Sequence, residues 1–231
     1  MSLARAKQYA LKAAREARLR TSWRRPDETF EQALDRWLEQ VYTDRELVAE
    51  IAQLADQLRP HGERSSLAQL LVKLTAPGVP DFYQGSELRD ECLVDPDNRR
   101  PVDLAHREAR LRALANATVR ELPRDLDAMK LWTIGRVLGV RRKDPARFAG
   151  AYHALHAIGP QAHRVFAFAR GDVLVTIVPR LGVHADGFGD TTLEIPPGMW
   201  RDVLSDQTFS GGACALGQLW RALPIALLTR P

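Results

Sequence analysis

The sequence predicts a chain of more than one domain, with helices first and a small antiparallel β-sandwich last. Three observations predict it. Apolar residues recur at helical spacing up to about position 142. After Gly150 the period shortens to two: Val165, Ala167 and Ala169 alternate with Phe166 and Phe168. Between these regions, the apolar run from Leu71 breaks at Pro77-Gly78-Val79-Pro80 and turns polar. A buried strand delivers side chains to a pocket rim in this way.

Residues 3–20 are rich in Ala, Leu, Arg and Lys, which are good helix formers. Asp27 is placed to cap a second helix, with Phe30, Ala33, Leu34, Trp37, Leu38 and Val41 on one stripe. Thr43 is placed to cap a third, with Leu47, Ile51, Leu54 and Leu58 on one face, and Pro60 with Gly62 is expected to end it. A fourth helix starts at Ser65 or Ser66, carries Leu67, Leu70, Leu71 and Leu74, and stops at Pro77-Gly78. A strand is expected at Val79–Tyr83. Residues 95–103, with two prolines and an Asp-Asn pair, read as loop. Helices return at about 104–120 and 125–142, with Leu111, Leu114, Leu131, Ile134, Val137 and Leu138 inward. Five or six short strands follow, separated by Gly, Pro and Asp clusters, and they fit a small sandwich.

Two stretches carry a resemblance. Pro77-Gly-Val-Pro-Asp-Phe-Tyr-Gln-Gly-Ser-Glu87 resembles the eighth strand and following loop of the (β/α)8 barrels of the α-amylase clan. Asp95-Pro-Asp-Asn-Arg-Arg-Pro-Val-Asp103 is more specific and is similar to a signature of the malto-oligosyltrehalose synthases. Upstream, Lys12–Arg18, Thr21-Ser-Trp23 and Pro26 resemble the helical segment before that strand. Downstream, Val165–Arg170 and Leu223–Leu228 resemble the family's small all-β end domain. The resemblance implies three domains: a helical segment at 1–62, the end of the catalytic barrel at 63–148, and a carboxy-terminal sandwich at 149–231.

Length limits what the chain holds. A complete barrel needs about 250 residues, and this chain has 231, the last third of them reading as strands. The family's three catalytic carboxylates lie on earlier barrel strands, and no segment here matches those motifs. The resemblance therefore implies the carboxy-terminal part of a synthase, with no catalytic residue in this chain and no activity alone. A barrel strand without neighbours exposes an edge. Residues 79–83 are accordingly expected to pair with another copy, to lie beneath the helices, or not to form a strand.

Composition is that of a globular protein, 45% hydrophobic and 27% charged. No apolar run approaches the roughly 18–20 residues of a membrane span, and no secretory signal is evident. Cys92 and Cys214 lie far apart without metal spacing; they suit a reducing, cytoplasmic compartment, with a single bridge left open. The pI of 9.3 is local in origin. Residues 1–25 carry a net charge of +7, which leaves about −3 for the rest. A basic arm suits phosphates or an organellar presequence as well as a solvated helix face. The resemblance begins within the arm, so it reads as structure, and neither nucleic acid nor membrane is expected as a partner. His153 and His156 have a helical chelate spacing, but no further ligand is near in sequence, so no metal is expected.

The candidate sugar contacts rest on the resemblance more than on spacing. They are Lys73, Tyr83, Gln84, Glu87, Asp95, Asp97, Asn98, Arg99, Arg100 and Asp103. An aromatic ring at a strand end can stack on the apolar face of a sugar, carboxylates and amides accept hydroxyl protons, and guanidinium groups donate. The same residues also suit a self-bonded loop, in which acids cap turns and pair with the arginines. Glu87 reads as a positioning carboxylate. The implied substrate is a maltooligosaccharide, bound by the complete enzyme without metal or organic cofactor. The implied partner is the missing amino-terminal barrel portion or another copy of the chain. A non-catalytic α-glucan-binding or barrel-completing module is the alternative.

Overall fold

The computed structural model describes residues 1–90, 101–181 and 187–231. They divide into two compact units, Met1–Arg59 and a larger one made of Pro60–Asp90 with Pro101–Pro231.

In the first unit, α1 (Leu3–Ala17) starts at Ser2, whose hydroxyl accepts from the Arg5 amide. It ends where Arg18 turns left-handed, with φ 56°. Asp27 caps α2 (Glu28–Thr43), as the sequence predicts, and its carboxylate accepts from the Phe30 amide at 3.0 Å. The two helices are tied by ion pairs. Arg15 grips Glu31 through two bonds of 2.8 and 2.7 Å. Lys7 reaches Asp35 at 2.8 Å and Glu39 at 2.6 Å.

The third helix differs from expectation at both ends. Asp44, one residue beyond Thr43, caps it through the Leu47 amide at 3.0 Å, while Thr43 is the last residue of α2. Pro60 does not end it: α3 runs unbroken over Arg45–Thr75, its later part belonging to the second unit. An interior proline costs roughly 3 kcal/mol. Burial of Leu67, Leu70, Leu71 and Leu74 just downstream offsets that cost.

The second unit adds α4 (Leu104–Leu114) and α5 (Leu126–Lys143). Among the described residues, seven strands follow: β1 (Tyr152–Leu155), β2 (Ala157–Ile158), β3 (Val165–Arg170), β4 (Leu174–Pro179), β5 (Thr192–Asp202), β6 (Thr208–Ala215) and β7 (Ala226–Thr229). A one-turn helix, α6 (Leu216–Leu219), lies between β6 and β7. Expected α4 is shorter than the pattern suggested, and Leu111, assigned inward, is 48% exposed.

The strands form a single antiparallel sheet in the order β1-β3-β4-β7-β5-β2, with β6 on the other edge of β5, where two stacked sheets were expected. The cause lies in β5. Its register breaks between Ile195 and Met199, at Pro196-Pro197-Gly198. A bulge bends its strand and increases the local twist, and Gly198 takes φ 121°, a conformation that suits glycine. The start of β5 pairs with β2 and its end with β7, so the sheet curls instead of splitting.

Strands β4 and β7 are buried on both faces of the sheet, and strand alternation decides which residue goes where. Leu174 and Val178 of β4 and Leu227 of β7 join a core with Leu67, Leu71 and Leu74 of α3 and Leu131, Trp132 and Val137 of α5. Their neighbours Val175, Ile177, Ala226 and Leu228 point the other way, into a second core with Leu193, Ile195, Trp200 and Leu216. Burial on both sides explains why β4 reads as a nearly continuous apolar run.

The segment expected as a strand at 79–83 is not one. No described strand lies beside it to take its amides, Pro80 has none to give, and Val79 is 91% exposed. Of the three fates expected for it, the structure takes the last. Among the described residues, no helix is long and apolar enough to cross a membrane.

Candidate functional site

The candidate residues with described positions all belong to the second unit. They lie on three neighbouring pieces of chain: the last turn of α3, the segment that leaves it, and the start of α4. Asp95, Asp97, Asn98, Arg99 and Arg100 lie outside the described residues, as does Cys92.

Lys73 is on the last turn of α3, where cations complement the helix dipole. Its ammonium lies 3.7 Å from the centre of the Phe82 ring. Such an approach combines charge with the ring quadrupole, and Phe82 is itself anchored against the core below. Two bonds from Arg141 fix the exit from α3, to the carbonyls of Leu74 at 3.1 Å and Gly78 at 2.8 Å.

Tyr83 through Glu87 form a tight turn. The Tyr83 carbonyl accepts from the Ser86 amide at 3.1 Å and from its hydroxyl at 2.7 Å. Gly85 has φ 97°, and a Cβ there would come within 3.2 Å of Val102. Any other residue would be strained and crowded at this point. Glu87 folds back and accepts from the Gly85 amide at 2.9 Å.

One arginine ties this turn to α4. The Arg107 guanidinium donates to the Gly85 carbonyl at 2.8 Å, to the Asp103 carbonyl at 3.1 Å and to the Glu87 carboxylate at 3.4 Å. The planar fork suits several acceptors at once. Asp103 in turn caps α4, accepting from the His106 amide at 2.9 Å.

Lys130, from the buried side of α5, holds the far end of the turn. Its ammonium donates to the Leu88 carbonyl at 2.5 Å. Burial pushes its pKa down, against the pull of Asp127 and other nearby acids. Beyond it, the Arg89 amide donates to Asp127, and the Arg89 side chain pairs with Glu63.

The structure thus brings Glu87 and Asp103 together through Arg107 and sets Lys73 beside the residue that precedes Tyr83. Tyr83 is 67% exposed, and Gln84 and Lys73 are exposed as well. A rigid turn that presents a phenol, an amide and an ammonium outward can stack on and hydrogen-bond a polyhydroxyl ligand. In that turn the Glu87 carboxylate is engaged with the Gly85 amide and the Arg107 guanidinium. The other motif weighed from sequence does not form: His153 lies on strand β1, so its spacing to His156 is not the helical one that chelation needs.

No protein-family model matches the chain. Two proteins from Mycobacterium tuberculosis strains, named as maltooligosyl trehalose synthases, are each 43% identical over 225 residues, 96% of this chain and 28% of theirs. The solved maltooligosyltrehalose synthase from Arthrobacter ramosus superposes on 100% of this chain with a TM-score of 0.86 and 37% identity. A mutant of that enzyme gives 0.89 and 38%. This chain is similar to a carboxy-terminal part of these malto-oligosyltrehalose synthases. It spans about 30% of the length of the solved synthases.

At the candidate site, sequence reasoning missed two residues that position the turn, Arg107 and Lys130. Both left a signal. Lys130 is a lone lysine among Leu126, Ala128, Leu131 and Trp132, where a solvated side chain has no place. Arg107 stands four residues after the cap Asp103, one helical turn along, and so faces the same rim.

Proposed function

We propose that this chain acts within a malto-oligosyltrehalose synthase, supplying part of the pocket wall while the preceding polypeptide supplies the three catalytic carboxylates. The supporting observation is the 43% identity that runs over 96% of the chain yet touches only 28% of the relative. The complete enzyme converts the reducing-end α-1,4 bond of a maltooligosaccharide into an α-1,1 bond. Cleavage transfers the glucan from the O4 of the terminal glucose to an enzyme carboxylate, with the acid/base residue giving O4 its proton. The freed glucose turns within the pocket, and its anomeric hydroxyl attacks the glycosyl carbon, returning a proton to the same residue and releasing the carboxylate. Configuration at the glycosyl carbon is retained by the two inversions.

Such a reaction needs a pocket that holds free glucose and keeps water out. In this reading Tyr83, Gln84 and Lys73, with Asp95, Asp97, Asn98, Arg99 and Arg100, are the residues that contact the sugar. Glu87 and Asp103 act by fixing that wall through Arg107. In this reading, residues 1–62 form a helical segment, 63–148 end the catalytic barrel and 149–231 form the end domain, all in the cytoplasm. The segment 79–83 becomes the eighth barrel strand only when its neighbours are present. No metal or organic cofactor takes part.

The test is incubation with maltohexaose. The pure chain is expected to release no trehalose-terminated product, and the chain joined to the amino-terminal barrel portion is expected to make it. Product from the pure chain would overturn the reading. Heat evolved when the pure chain is titrated with maltohexaose, without turnover in the joined protein, would favour an α-glucan-binding module instead.

A further inference from the structure

A second site lies outside the turn. In the second unit, a cleft of about 260 Å³ opens between α3, the residues around β3 and β4, and α6. Arg64, Arg164, Phe188, Trp220, Pro179 and Pro224 line it. Its chemistry is one-sided: two guanidinium groups face it, and no acidic side chain among the described residues does.

Arg164 is only 9% exposed. A buried cation normally has an anion to offset the cost of leaving water. The contacts recorded for this one are a long bond of 3.3 Å to the Gln161 amide oxygen and an approach of 5.9 Å to the Phe188 ring. Neither is an anion. Arg64, half-buried on α3, has no ion pair among the described residues. The aromatic wall is preformed: Phe188 and Trp220 meet edge to face with centroids 4.5 Å apart, and the Trp220 indole N–H donates to the Ile177 carbonyl at 3.4 Å. The cleft is many times larger than the roughly 30 Å³ share of one water molecule. A bare oxyanion would leave most of it empty.

We propose that this cleft binds a phosphate monoester with a sugar-sized body, the two arginines holding the phosphate and the Phe188–Trp220 wall holding the body. Arginine forks match phosphate geometry, and aromatic rings match the apolar face of a sugar or a base.

The experiment is isothermal titration of the whole chain with glucose 1-phosphate, adenosine monophosphate, inorganic phosphate and glucose. Saturable binding of at least one ester is expected, with inorganic phosphate and glucose each at least about tenfold weaker, since each lacks one half of the recognition. The ester that binds more tightly identifies the body. Arg64→Gln and Arg164→Gln are each expected to weaken that ester about tenfold or more. Trp220→Leu is expected to weaken the ester and to leave inorganic phosphate unchanged. Arg64 is half-buried, so its variant tests the site even if Arg164→Gln does not fold. Absence of saturable ester binding would overturn the proposal. So would inorganic phosphate binding as tightly as the ester, or undiminished ester binding in folded Arg64→Gln. None of these outcomes depends on turnover of maltohexaose.

Discussion

The two compact units are held together by different forces. In the first, α1 and α2 are joined by ion pairs at Arg15–Glu31, Lys7–Asp35 and Lys7–Glu39. Its buried residues are few, among them Ala6, Thr21 and Leu38. The apolar face predicted for the early part of α3 is present but uncovered, with Ile51 52% and Leu54 55% exposed. In the second unit the same helix buries Leu67, Leu71 and Leu74 completely or nearly so, in one core with strands β4 and β7, which are buried on both faces. One helix therefore carries two apolar stripes with opposite fates. An amphipathic pattern states that a face is able to be buried; it does not say whether the partner is in the same chain.

The largest effect should separate these stripes. Leu71→Ala in the second unit is expected to cost about 2–5 kcal/mol, the range for a large-to-small change in a filled core. Leu54→Ala in the first should fall within about 0.5 kcal/mol, as surface changes do. Urea unfolding followed by circular dichroism measures both. Equal costs would mean that the Leu54 stripe is covered in solution, by a second copy or otherwise.

A smaller effect is expected at the turn. Arg107→Ala removes three bonds that span Gly85, Glu87 and Asp103. The loss should come to about 1–2 kcal/mol, because part of it is recovered from water. Its mark is local: hydrogen exchange at the Gly85 amide should speed up, while the amides around Leu71 keep their protection. Arg107→Lys should not rescue it, since a single ammonium cannot reach three divergent acceptors. Loss of protection throughout the second unit would show that Arg107 holds the fold and not the turn.

The sequence was most legible where a pattern and its partner lie in one chain. The cap Asp27 and the core face of α5 follow from spacing alone. The strand expected at 79–83 failed because a strand is a relation between segments, and no described segment pairs with this one. The single curled sheet was hidden because alternation reports two faces without saying whether they belong to one sheet or two. Only the Pro196-Pro197-Gly198 break in β5 carried that information. At the candidate site, Tyr83 and Gln84 stood out by their types, whereas Arg107 and Lys130 act through backbone carbonyls and were marked only by their places on α4 and α5.

The mildest prediction returns to the first unit and uses pH. The Glu31 carboxyl is held down to about 2 from an ordinary 4.5, chiefly by its bonds to Arg15 and then to Thr21. A depressed carboxyl favours the folded state above its unfolded pKa and loses that contribution as pH falls through the folded one. The pairing of α1 with α2 should therefore be intact at pH 5 and weaken between about 4.5 and 2. Arg15 also lies 4.9 Å from the Trp23 ring centre, so its release alters the surroundings of that indole. Trp23 fluorescence should change in that window in the wild-type chain. In Glu31→Gln it should be constant there, already near its acid value at pH 5. The second unit, held by buried apolar surface that does not titrate, should keep its circular dichroism through the same range; if it unfolds first, the division of forces drawn between the units is wrong.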